Sequence, residues 1–267
     1  LIALQYHEVK INIEYETAAN LFDKDTKNTT FNDSITKNSN YIVNNISLVD
    51  SKLWVDYIFL DTDERRRFAQ LSHEYLIEQL QFTGAETVNA VSMKPKLSFN
   101  HPCKELVWVS TCDYHLSDQH TKNNNWVNYS TTVNTYATDT TLTATTLHAA
   151  TSVVTSTNPV VSAKLVLNGN DRFSLRPGSY FNLIQPYQHH ENIPSNPGIN
   201  VYSFALKPEE HQPSGTLNMS RIDTAVLNID MTPGYINNGF SKNLHVYAVN
   251  YNVLRILSGM GGLAYSN

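Results

Sequence analysis

From Val9 to Glu16 the chain alternates: Val9, Ile11, Ile13 and Tyr15 share one face of an extended segment, and Lys10, Asn12, Glu14 and Glu16 share the other. That period of two predicts a half-buried antiparallel strand. Residues 41–48 and 53–60 are apolar and rich in β-branched and aromatic side chains, which predicts two further strands. Later segments read the same way: 106–110, 163–167, 180–184, 199–206, 222–229 and 244–256. Turn formers separate them, namely Asn168-Gly169, Arg176-Pro177-Gly178, the 194–198 stretch with two prolines, Pro213-Ser214-Gly215 and Pro233-Gly234.

One segment carries a helix signature. Asp61 is placed to cap it, Glu64 stands three residues on as in a capping box, and Phe68, Leu71 and Tyr75 fall at helical spacing. The helix is short, because residues 74–82 alternate again. Many strands, few helices and long connections predict an all-β jelly-roll sandwich with one short linker helix. A βαβ fold needs repeated amphipathic helices, and this sequence offers one.

Two stretches lack periodicity. Residues 23–40 are Asn-, Thr-, Lys- and Asp-rich and read as a loop. Residues 121–161 are biased toward threonine, with 12 Thr in the 27 positions 131–157. A loop of that length is usually functional or disordered, and this one is expected to project from the surface.

Composition narrows the function classes. The chain has 267 residues and 41% hydrophobic content, enough for a sizeable core. Charged residues make up only 16%, with net charge −5. The polarity comes instead from Asn, Thr and Ser, which suit turns and strand faces. The acidic balance gives no global electrostatic reason to bind nucleic acid, and none is expected. No apolar run reaches the 18 residues of a membrane span. The first residue is Leu1 rather than Met, which reads as a processed product or a fragment. Cys103 and Cys112 flank one strand-like segment. Nine extended steps put them roughly 30 Å apart, so two reduced thiols are expected.

Candidate chemistry is sparse. His189-His190-Glu191 resembles a ligand set, but neighbours on an extended chain point to opposite faces, so a polar loop is the expectation. Gly259 to Gly262 lacks the Lys-Ser/Thr of a phosphate loop, and no nucleophile elbow is present. No catalytic residue, metal ligand or cofactor site is assigned. Arg65-Arg66-Arg67 follows Asp61, Asp63 and Glu64, a pattern that predicts an ion-pair face. Asn28, Asn32, Asn45, Asn128 and Asn218 head N-x-[ST] sequons and are the candidate surface glycosylation sites, should the chain meet a glycosylation machinery.

Two long stretches, 60–79 (with the run Asp-Glu-Arg-Arg-Arg-Phe) and 198–223 (with Tyr-Ser-Phe-Ala-Leu-Lys-Pro-Glu-Glu-His-Gln-Pro-Ser-Gly), carry a family resemblance. Residues 1–11, 167–173 and 252–265 add to it. Together they resemble the major capsid protein of nucleocytoplasmic large DNA viruses, of the phycodnavirus and giant-virus type. The resemblance implies a double jelly roll. Residues 1–60 would be the last strands of the first roll, and 61–267 the linker helix and second roll, with the Thr-rich insertion near 121–161. It also implies homotrimeric, pseudo-hexagonal capsomers tiling an icosahedral virion shell. Minor capsid proteins and an inner viral membrane would be neighbours, and assembly would take place in the host cytoplasm.

On this reading no enzyme activity is expected. By resemblance and position, three regions become assembly candidates. They are the helix with Asp61, Asp63, Glu64, Arg65, Arg66 and Arg67; the loop with Lys207, Pro208, Glu209, Glu210 and Pro213; and a glycine-loosened tail, residues 259–267. A carbohydrate-binding jelly roll is the competing class, because Tyr and Trp are plentiful. A cupin-like metalloenzyme is a third.

Overall fold

The computed structural model describes residues 1–16, 47–116, 126–131, 157–237 and 239–265. Two antiparallel sheets, each four strands wide, face one another across a single core. The first is organised on β12 (Lys242–Leu257), a 16-residue strand. β1 (His73–Phe82) and the short β2 (Glu86–Thr87) pair along one side of it. β5 (Pro102–Cys112) and β13 (Met260–Leu263) pair along the other. β9 (Asn200–Ser203) and β10 (Leu217–Asn218) complete this sheet beyond β5.

The second sheet runs from β3 (Ser92–Met93) and β4 (Lys96–Leu97) through β11 (Ala225–Met231) and β6 (Val160–Leu167) to β7 (Asn170–Asp171) and β8 (Arg176–Pro177). β3 and β4 form one edge interrupted at Pro95, whose carbonyl still accepts from Leu227 N–H at 3.0 Å. Proline lacks a donor, so it belongs on an edge.

Alternation builds the core. β11 buries Ala225, Leu227, Ile229 and Met231 at every second position. They pack with Ala163 and Leu165 of β6 and, from the other sheet, with Leu106, Trp108, Leu244, Val246 and Ala248. Trp108 and Phe181 are fully buried with ring centroids 5.1 Å apart. A bulge at Lys104 shifts the register, so that Glu105 faces Val249 while Cys103 faces Asn250. Neither cysteine is in a disulfide, as expected, and both are buried, at opposite ends of β5. Burial pushes the Cys103 thiol up to about 12, so it is inert at neutral pH.

Hairpin turns follow the turn residues. Asn168 and Gly169 have φ of 49° and 80° and join β6 to β7; Ser258 and Gly259, at 52° and 81°, join β12 to β13. Both central residues lie in the left-handed region, as a type I′ turn requires.

The structure departs from the sequence expectations in three places. Residues 180–184 are a π-helical turn (Tyr180–Ile184) leading into a short helix (Gln185–His189), not a strand. Phe181 and Gln185, one turn apart, both point inward, and Pro186 favours the helix start. A short apolar run cannot distinguish the two periods. The 259–267 tail is not loose: its described part forms β13, whose pairing with β12 uses those glycines. Residues 9–15 and 53–60 form no strand ladder among the described residues, and their apolar side chains lie open to solvent, for example Ile11 (64%) and Phe59 (92%). A strand needs a neighbour for its backbone groups. The linker helix stops at Gln70 and Tyr75 lies in β1, as the alternation of residues 74–82 predicts. The expected loop 23–40 and strand 41–46 fall outside the described residues, as do 121–125 and 132–156 of the Thr-rich stretch. Val160 and Val161, at the end of that stretch, already belong to β6.

Candidate assembly surfaces

The linker helix, α1 (Thr62–Gln70), starts where the cap residue predicts: the Asp61 carboxylate accepts from Thr62 N–H at 2.7 Å. Asp63 and Glu64 occupy its first turn, which suits the positive end of the helix dipole. No residue of the helix is buried. Arg66 meets Asp63 at 3.4 Å, with the two side chains 63% and 87% exposed. An exposed pair of this kind adds little stability. The helix therefore presents Arg65, Arg66 and Arg67 as surface charge beside Asp61, Asp63 and Glu64. Phe68, His73 and Tyr75 stack in sequence at 5.5 and 6.1 Å on leaving it.

The loop from Lys207 to Gly215 is a closed structure. Lys207 N–H donates to the Ser214 hydroxyl at 2.9 Å, which donates back to the Lys207 carbonyl. Lys207 and Glu210 pair at 2.9 Å. Pro208 is buried and anchors the loop, whereas Pro213 stays exposed. Glu209 accepts from Glu191 N–H at 2.7 Å, tying this loop to the preceding one.

Beneath it, on the outward face of the first sheet, lies a cluster that the sequence gives no sign of. Lys104, buried at the bulge, reaches Glu78 of β1 at 2.7 Å and sits 5.4 Å above the Tyr251 ring. His190 caps the helix α2 (Gln185–His189) and meets Glu105 at 2.8 Å, with both side chains nearly buried. The hydrogen bond to Glu105 outweighs desolvation and raises the His190 pKa, with Glu209 adding to the effect. His189 binds the Leu206 carbonyl instead, at 2.9 Å. Adjacent histidines thus diverge, as reasoned from sequence, but they are structural joints rather than a free polar loop. The pairs span 26 and 85 positions, so no local pattern announces them.

The sequons divide. Asn128 accepts from Ser130 N–H and hydroxyl, and Asn218 caps a 3₁₀ turn (Met219–Arg221) through Ser220 N–H. Both amides are engaged in local structure. Asn28, Asn32 and Asn45 lie outside the described residues. Among the described residues, no group of three His, Cys, Asp or Glu is placed to hold a metal ion. Among the described residues no helix is long and apolar enough to cross a membrane.

Jelly-roll sandwiches of this kind serve viral capsid, lectin and cupin domains alike, so the fold gives a class and sequence similarity decides within it. The chain belongs to the family described as the large eukaryotic DNA virus major capsid protein, whose model matches residues 64–262. A second model, for the major capsid protein N-terminus, matches residues 1–61. The chain is 43% identical to the major capsid protein of Phaeocystis pouchetii virus and 45% identical to that of Pyramimonas orientalis virus, covering all of this chain and 62% and 57% of those proteins. It spans about three-fifths of the length of these curated relatives. Among solved structures it resembles the quasi-atomic model of the PBCV-1 virus capsid, with TM-score 0.56 and 38% identity over 79% of this chain and 56% of that one.

Proposed function

We propose that the chain is a shell building block of a large icosahedral DNA virus, acting by self-association and not by catalysis. One observation carries the reading: the described residues between 73 and 263 bury a sandwich core of their own, while residues 9–15 and 48–59 keep strand patterning with apolar side chains exposed, Val49 (95%), Trp54 (88%) and Phe59 (92%) among them. Contiguous exposed apolar surface marks an interaction site.

On this reading residues 1–60 are the last strands of a first jelly roll, and 61–267 the linker helix and the second. Three copies form a pseudo-hexagonal capsomer, and capsomers tile the virion. The α1 charges and the 207–215 loop are the lateral contacts. Minor capsid proteins and an inner membrane are its neighbours in the virion, assembly is cytoplasmic, and no enzyme activity, cofactor or direct nucleic-acid contact is involved. Sedimentation and native mass of the full-length protein test it. A trimer is the expected result; a monomer that persists at high concentration overturns it.

A further inference from the structure

Two loops lie over the β5 side of the first sheet: residues 190–199, between α2 and β9, and residues 204–216, between β9 and β10. Glu191 N–H to Glu209 ties them to each other, and His189 at the end of α2 holds the second loop at the Leu206 carbonyl. They are tied to the sheet at the bulge, where Phe204 and Ala205 N–H both donate to the Lys104 carbonyl at 2.9 and 3.2 Å. Two histidines complete the attachment: His190 on Glu105 at 2.8 Å, and the more exposed His211 on Glu78 at 3.7 Å.

The charged surroundings of His190 are one-sided. Glu105 faces it from β5 and Glu209 from the second loop, and the Gln185 carbonyl of α2 also favours the protonated ring. The nearby cation, Lys104, is committed to Glu78. The same two loops and α2 carry exposed apolar side chains: Tyr187 (76%), Ile193 (45%) and Leu206 (70%).

We propose that His190 and Glu105 form a proton-operated clasp that fixes both loops on the sheet and sets Tyr187, Ile193 and Leu206 for contact with a neighbouring copy. Protonated, the ring makes a charge-assisted bond across a nearly dry contact. When the proton passes to solvent, the charge is lost and the loops loosen. The contact with a neighbouring copy rests on the self-association reading above; the clasp itself does not.

Hydrogen exchange of residues 204–216 in the full chain, followed from about pH 5.5 to about pH 9 and corrected for the intrinsic pH dependence of exchange, tests the clasp. Protection is expected to fall as pH rises. The closed-to-open ratio drops about tenfold for each unit by which the folded pKa exceeds the free value. His190→Gln is expected to give low protection at every pH, while His211→Gln keeps the pH profile. A flat profile in the unmodified chain, or an unchanged profile in His190→Gln, overturns the proposal. Should His190→Gln fail to fold, titration of the His190 ring by NMR in the unmodified chain decides: a pKa at or below that of free histidine overturns it. Sedimentation of the full-length protein over the same pH range separates the two readings. A clasp that responds to pH in a protein that stays monomeric leaves the clasp standing and ends the assembly reading.

Discussion

Residues 53–60 and β5 are alike as sequences. Both carry leucine, valine and tryptophan in close succession with a single acidic side chain. In β5 the run is paired on both sides, by β12 and by β9 and β10, and Leu106 and Trp108 are wholly buried. In residues 53–60 it is unpaired, and Leu53, Trp54, Val55, Tyr57, Ile58 and Phe59 are each more than half exposed. The difference teaches that apolar patterning confers the capacity to form a strand, whereas a partner edge and a covering layer realise it. Residues 53–60 are apolar on both faces, so a single sheet contact would not satisfy them. A strand of that kind is covered from two sides.

Substitutions sharpen the contrast. Trp108→Ala should cost the most, about 3–5 kcal/mol, because it removes a wholly buried side chain packed against Phe181 and leaves a cavity in the core. Denaturant unfolding measures it, and a loss below about 1 kcal/mol would erase the distinction between the two regions. Gly198→Ala should cost about 2–3 kcal/mol: φ is +113°, and an added Cβ would stand 2.1 Å from the Tyr129 carbonyl oxygen. Thermal melting reads this loss, which arises from a backbone approach rather than from apolar burial.

The His190–Glu105 pair comes next, at about 1–2 kcal/mol, less than for a fully buried pair. The folded pKa of His190 is raised, so its contribution is complete below about pH 6.5, the unfolded value, and fades as pH climbs through the folded value. Glu105→Gln should flatten that part of the stability–pH profile measured by chemical denaturation. The smallest effect belongs to the exposed run. Trp54→Ser should change the stability of this chain by less than about 0.5 kcal/mol and should lower its tendency to associate, seen by light scattering. A large loss of stability there would mean that residues 53–60 already pack within the chain.

Much of the sandwich could be read from the residues. β6, β11 and β12 lie where alternation placed them, Asp61 caps its helix, and Asn168-Gly169 turns a hairpin. Residues 180–184 misled because a five-residue apolar run fits either period, and only the inward packing of Phe181 and Gln185 selects a helical turn. The 259–262 glycines misled in the opposite direction. Read as looseness, they supply a positive-φ turn residue and slim strand positions, where an added Cβ at Gly261 would meet Leu4 at 3.0 Å.

The assembly candidates divide in the same manner. The helix charges and the two loop prolines stand out in the chain, whereas Lys104, Glu78, Glu105 and His190 do not.

Side-chain order along the chain settled the β class, the helix start, the hairpin turns and the absence of a cysteine bridge, because each depends on residues a few positions apart. Folding in three dimensions alone settled which apolar runs find cover and which carboxylates meet Lys104 and His190. Those outcomes depend on strands brought together from distant parts of the chain. Burial and ion pairing are properties of neighbours in space, and local pattern does not specify those neighbours.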